Sequence, residues 1–167
     1  MRTLPAILLL GVLTHSLSAQ IPPRKTLASS SGTPKVLVAT PEIADGVDRA
    51  KAVDLAQGFR DRVAETLGGR YAVVSRDALN RVLASSGYDA DAPLSEAAAR
   101  ALGTQMQAAL VFSGAVRQEA DGRLTVSGSL ASPKEASPAK VTLTQAEGQD
   151  AAALGAALAE QLKKDAH

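Results

Sequence analysis

Between Arg70 and Arg117 two apolar, β-type runs bracket two helical patterns, and this alternation constrains the fold more than any other stretch. It opens with Tyr71-Ala72-Val73-Val74 and turns at Ser75-Arg76-Asp77 into Ala78, Leu79, Val82 and Leu83, spaced for one helix face. Tyr88 to Pro93 (YDADAP) reads as a polar loop after Gly87. Ser95 is the expected cap of a third helix over Glu96 to Leu102, rich in alanine, with Gly103 at its end. Ala108 to Val116 then forms a nearly continuous apolar run, the mark of a central strand.

Upstream, Lys35-Val36-Leu37-Val38-Ala39 is a compact apolar run ended by Thr40-Pro41, suited to a strand buried on both faces, and 41–47 is expected to be a loop. Asp48 caps a predicted helix reaching Leu67, with Ala52, Val53, Ala56, Phe59, Val63 and Leu67 on the packed face. Lys51, Asp54, Arg60, Asp61, Arg62 and Glu65 are assigned mostly to the solvated side. Gly58 costs about 1 kcal/mol relative to alanine inside a helix, so it either permits close packing or bends the element. Gly68-Gly69 supplies the expected stop.

Downstream, Glu119-Ala120-Asp121-Gly122 carries the Asp-Gly signal of a tight hairpin. Its second arm alternates Leu124, Val126 and Leu130 against Thr125, Ser127 and Ser129. A turn with two prolines (131–139) leads to a short strand at 141–144, and Asp150 caps a last helix on Leu154, Ala157, Leu158 and Leu162, with Lys163-Lys164 placed to complement its C-terminal dipole. The predicted order is βαβααβββα. Helical crossovers make parallel pairs and the hairpin adds an antiparallel part, giving one α/β domain with a mixed, mostly five-stranded sheet and about four helices.

The first nineteen residues read as a signal peptide: Arg2, an apolar run from Leu4 to Leu13, then small residues. Cleavage is expected after Ala19, leaving Gln20 first, with Ser18 the alternative; an uncleaved anchor is the competing reading. Gln20 to Pro34, with three prolines and a serine run, reads as a disordered leader, and 35–167 as the folded domain. No cysteine is present, so no disulfide and no lipid-bearing thiol is expected and the mature protein should be soluble. Cleavage removes Arg2 and leaves 17 basic against 17 acidic residues. A near-neutral chain with four aromatic residues does not look like a nucleic-acid binder.

Catalytic chemistry is thinly supplied. His15 lies in the signal peptide and His167 is terminal, so the usual nucleophile–base pairs and zinc ligands are missing, and no phosphate-cradling glycine motif occurs. No catalytic, cofactor or metal residue is assigned. Glu42, Asp45 with Asp48, and Asp89 with Asp91 are the candidates for a carboxylate pair in an envelope hydrolase, although aspartates in such turns ordinarily cap backbone amides. Arg76 stands where a strand ends and a helix begins, a place where open α/β sheets take ligands, or else pairs with Asp77 or a carboxylate of a neighbouring loop. Tyr88 either folds back as a lid or projects as a contact residue.

The order of these pieces (Val36 to Pro41; Tyr71 to Leu79; Ala101-Leu102-Gly103 leading into Ala108 to Val116) resembles the TolB N-terminal domain and its relatives. These include the curli secretion channel subunit, a flagellar accessory outer-membrane protein and the penicillin-binding-protein activator lipoproteins. The likeness runs from about Lys35 to Leu130. It implies a non-enzymatic domain of the bacterial periplasm or outer membrane, or a secreted one, that binds another envelope protein, with regulation of cell-wall synthesis as the alternative. Arg76, Asp77 and Tyr88, at the exposed turns of the matching stretch, are the expected partner contacts. The chain departs from the lipoproteins in lacking cysteine, from the channel in lacking spanning hairpins, and from TolB in lacking a propeller.

Overall fold

The computed structural model describes residues 32–165; the expected signal peptide, its cleavage at Ala19 and Gln20, and the leader through Ser31 lie outside the described residues, as do the side chains of Lys163 and Lys164. The elements are β1 (Lys35–Val38), β2 (Glu42–Ile43), α1 (Arg49–Leu67), β3 (Ala72–Val73), α2 (Arg76–Ser85), α3 (Glu96–Gln105), β4 (Ala108–Gln118), β5 (Leu124–Ala131), β6 (Val141–Thr144) and α4 (Ala151–Asp165). Six strands form one mixed sheet in the order β3-β1-β4-β5-β6, with β2 also paired to β4. β3, β1, β2 and β4 are parallel, while the β4–β5 and β5–β6 pairs are antiparallel. The α/β class, the mixed sheet and the four helices agree with the sequence reading.

Alternation along the strands sorts the core into two layers. Val36, Val38, Phe112, Val116, Leu124 and Val126 face α1 and α4. Leu37, Ala39, Val74, Ala108 and Val111 face α2 and α3. Ala108 reaches the second layer because the β1–β4 register shifts by one residue between Lys35 and Val36, which turns the start of β4 over. Phe59 of α1 stacks on Phe112 of the central strand, ring centroids 3.9 Å apart, and both rings are fully buried.

The glycine expected to bend or tighten α1 does the second. A Cβ on Gly58 would strike the backbone of Ala152 in α4, and one on Gly155 would strike the carbonyl of Leu55 in α1. The two helices therefore cross with backbone against backbone, each supplying a glycine. The consequence is a helix layer thin enough to seat Leu55, Phe59, Leu154 and Leu158 on the sheet together.

Several expectations are corrected. The predicted loop at 41–47 contains β2, which aligns Glu42 with Ala115 and Ile43 with Val116. The Tyr71–Val74 run shrinks to the two-residue edge strand β3, because β1 offers partners only to Ala72 and Val73 before the chain turns into α2. Gly68 ends α1 in a right-handed conformation, with the amides of Arg70 and Tyr71 folding back onto the Leu67 carbonyl. Gly103 is not a helix stop: α3 runs on to Gln105, and Gly103 is the flat spot where the helix meets Val111 of β4. Leu55 and Arg60 are both buried, so the packed stripe of α1 is wider than its sequence spacing indicates.

Gly58→Ala tests the helix crossing. Intrinsic propensity alone would raise stability by about 1 kcal/mol; backbone collision is expected to reverse the sign and cost about 1–3 kcal/mol in urea unfolding.

Candidate functional site

Sequence reasoning names Arg76, Asp77 and Tyr88, at separate exposed turns, as the expected contacts. Arg76 opens α2 while Tyr88 follows its far end, so the ten-residue helix puts about 15 Å between them. Arg76 and Asp77 belong to the start of α2 and Tyr88 to its end.

At the start of α2, Ser75 caps the helix by accepting from the Ala78 amide, and Asp77 sits in the first turn where a negative charge meets the helix dipole. Arg76 points away and grips Asp91 with two nitrogens, Nε to Oδ1 at 2.7 Å and Nη2 to Oδ2 at 2.6 Å. Asn80 holds the same loop twice: its amide donates to Asp91 Oδ1 and its oxygen accepts from the Asp91 amide. Asp91 is in the left-handed region, φ 53°, a conformation that aspartate tolerates better than most residues. The hydrogen bonds from Arg76 hold the Asp91 carboxyl below its ordinary range, and the same contact raises Arg76. Of the two readings open for Arg76, the ion pair with a neighbouring loop is the one observed.

Behind this pair lies a residue that sequence reasoning missed. On the outer edge of β1 the carbonyl of Val36 accepts from the Val74 amide and that of Thr40 from the Leu94 amide. Between them β3 has ended, and the Val38 carbonyl accepts instead from Arg60 Nη2 at 3.1 Å. Arg60 thus stands in for a missing strand residue. Its Nη1 donates to Gln57 at 2.6 Å, while its buried Nε has no partner. Burial, followed by the charge of Arg76, pulls its pKa down from the normal arginine value. The detectable signal was position: Ala56, Arg60 and Val63 are spaced at four and three residues, on the apolar stripe.

At the end of α2, Gly87 takes φ 81°, its amide bonds the Ala84 carbonyl, and the Tyr88 amide bonds the Leu83 carbonyl. This is the Schellman termination, in which the residue after the glycine packs back onto the last turn. Tyr88 does so beside Leu83, lining with Leu94, Ala98, Ala101 and Leu102 a shallow cavity of about 140 Å³ between α2 and α3. It remains 45% exposed, the one large hydrophobic that is exposed among the described residues. Tyr88 thus packs back over the end of α2 and still leaves nearly half of its surface open.

A second concavity, about 350 Å³, lies where no helix covers the sheet, lined by Ala44, Ala115, Arg117, Ser127 and Thr142. One member of each candidate carboxylate pair is already engaged. Asp48 caps α1 by accepting from the Ala50 amide, and Asp91 is committed to Arg76. No group of three or more potential metal ligands comes together, and no helix is long and apolar enough to cross a membrane, among the described residues.

No family model matches, and no curated protein matches. Among solved structures the solution structure of Escherichia coli LpoB aligns with TM-score 0.51 at 14% identity, covering 86% of this chain and 82% of LpoB. The chain shares its fold with LpoB. Lipoprotein GNA1162 from Neisseria meningitidis aligns equally well, TM-score 0.51 at 11% identity over 80% of this chain and 96% of that one. The PelC dodecamer from Paraburkholderia phytofirmans is a more distant likeness, TM-score 0.45 at 12% identity over 78% and 84%. LpoB is one of the penicillin-binding-protein activator lipoproteins that the sequence resembles.

The Arg76–Asp91 clamp has a predictable pH signature. Because the Asp91 carboxyl is depressed in the fold, its contribution is present above the unfolded value and fades as pH falls toward the folded one. Asp91→Asn is expected to cost about 1 kcal/mol at pH 7 in denaturant unfolding, a difference from wild type that shrinks below about pH 4.

Proposed function

We propose that this chain is an exported, non-enzymatic protein of the bacterial envelope that docks onto another envelope protein, and that the partner belongs to the cell-wall synthesis machinery. The observation that carries this reading is the fold shared with LpoB across most of both chains, taken with the sequence resemblance to penicillin-binding-protein activator lipoproteins. In this reading residues 1–19 are a signal peptide cleaved between Ala19 and Gln20, 20–34 are a leader, and 35–167 are the docking domain, placed in the periplasm or secreted.

Four carboxyls of the described residues are poorly suited to acid catalysis. Asp91, Glu96, Glu119 and Asp121 are all shifted downward by arginine, lysine, threonine or backbone donors, so these carboxyls stay ionised and are poor general acids near neutral pH. The proposed contact surface is the outer flank of α2, from Arg76 and Asp77 at its start to Tyr88 past its end. Tyr88 is its anchor, since a half-exposed aromatic beside an apolar groove is the kind of side chain that dominates binding energy.

Two measurements check the proposal. Tagged protein incubated with envelope extract is expected to retain a penicillin-binding protein, with Tyr88→Ala lowering retention by at least about tenfold while the far-ultraviolet circular dichroism stays unchanged. Retention only of Tol-system or flagellar proteins would replace the cell-wall assignment, and turnover on a peptidoglycan and glycan panel lost in Asp45→Asn or Asp89→Asn would restore the hydrolase. The intact mass of the exported protein is expected to begin at Gln20; retention of residues 1–19 would favour the anchor.

A further inference from the structure

The sheet ends in two unlike edges. On one side β3 offers only two residues, and the β1 carbonyls beyond it are taken by Arg60 and by the Leu94 amide. On the other side β6, four residues long, runs antiparallel to β5 with nothing paired outside it. The Gln145 amide donates to the Leu124 carbonyl, so Gln145, Leu143 and Val141 turn their main-chain groups toward β5, and Thr142 and Thr144, alternating with them, turn theirs outward. These outward amides and carbonyls take no backbone partner among the described residues. Natural edges are commonly guarded by a charge, a proline or a bulge. β6 is short, but Val141-Thr142-Leu143-Thr144 carries none of the three.

This edge is complementary to itself. Val141 and Leu143 pack against the α1–α4 layer and stay only half-buried, while Thr142 and Thr144 stand exposed on the opposite face, bonding Ser127 at 3.2 Å and Thr125 at 2.9 Å through their hydroxyls. A second copy turned about a two-fold axis at Leu143 sets Thr142 against the partner's Thr144 and the reverse, which closes about four main-chain hydrogen bonds. The threonine rows then continue from β5 and β6 into the partner. On the helix side Leu143 meets the partner's Leu143 as a non-hydrogen-bonded pair, Cα atoms about 4.5 Å apart, and covers the apolar surface each leaves open. Antiparallel pairing also brings Lys140, 53% exposed at the start of β6, beside the turn that carries the partner's Glu147, so the charges at both ends of the contact are opposite.

We propose that β6 is a homodimer interface, across which two copies of this chain join their sheets antiparallel about a two-fold axis at Leu143. With one open edge per copy the pairing is isologous and closes at two instead of propagating. β3, which leads into α2, lies at the opposite edge of the sheet, so the contact does not depend on the docking flank of α2.

Sedimentation equilibrium of the exported protein is expected to show a reversible monomer–dimer equilibrium with a dissociation constant of about 10–100 µM, as suits a contact at the small end of interfaces. Thr142→Pro removes an outward amide and no bond to β5. It is expected to weaken dimerisation at least about tenfold, while the thermal midpoint of the dilute monomer moves by less than about 3 °C. Because the chain has no cysteine, the register can be read by crosslinking. Leu143→Cys is expected to form an intermolecular disulfide at least about tenfold faster than Thr142→Cys, whose two copies lie too far apart across the axis to be bridged. A monomer at every concentration, a dimer untouched by Thr142→Pro, or equal crosslinking at the two positions would overturn the proposal. So would a monomer whose Thr142 and Thr144 amides resist hydrogen exchange, which would assign the edge to another segment of the same chain. If Thr142→Pro does not fold, the two cysteine variants decide alone.

Discussion

The close crossing of α1 and α4 is the contact on which the rest of the domain depends. A helix layer at ordinary spacing would hold its two axes about 8–10 Å apart, and side chains at the crossing would wedge α4 away from β5 and β6. With Gly58 and Gly155 at the contact, backbone meets backbone and the bulky residues on either side turn down onto the sheet. Leu154 and Leu158 then reach the layer formed by Phe59 and Phe112, and α4 closes the antiparallel half of the sheet as α1 closes the parallel half. The propensity penalty of two mid-helix glycines, about 1 kcal/mol each, is outweighed by the burial of two leucines at about 1.5–3 kcal/mol apiece.

Arg60 resolves a different conflict. β3 is too short to pair the whole of β1, and an unpaired carbonyl in the buried edge would cost about 1–3 kcal/mol. A side chain from α1 reaches across the layer and supplies the missing donor. Burying a guanidinium is itself unfavourable, which is why its pKa falls, and Asp61 on α1 and the loop residue Asp91 offset part of that cost. Arginine suits the position because it stays charged and carries donors in several directions.

Most elements could be read from the sequence because their signals are local. Asp48, Ser75, Ser95 and Asp150 each cap the helix they announce, and Gly122 takes the left-handed turn of the predicted hairpin. What escaped depends on partners distant in sequence. β2 exists because β4 is long enough to pair a second segment beyond β1, and a two-residue strand has no periodicity to detect. Gly103 looks like a stop and is a packing surface, a distinction made by Val111 eight residues later. The Arg76 partner and the burial of Arg60 follow from where β3 ends, which no pattern within β3 states. For Tyr88 the sequence left folding back and projecting both open, because the bond of its amide to Leu83 is visible only in the fold.

β2 has a further consequence. In open parallel sheets the crevice between neighbouring strands whose connections leave on opposite faces is the natural pocket. Here that crevice lies between β1 and β4, flanked by α1 on one face and α2 with α3 on the other. After Ala39 the chain does not leave the sheet; it jogs by one residue and resumes pairing, with the Ala44 amide still bonded to Val116. The crevice is filled with the domain's own main chain. The open space on this sheet is thereby moved past the end of β2, to the concavity against Ala44, Ala115, Arg117, Ser127 and Thr142.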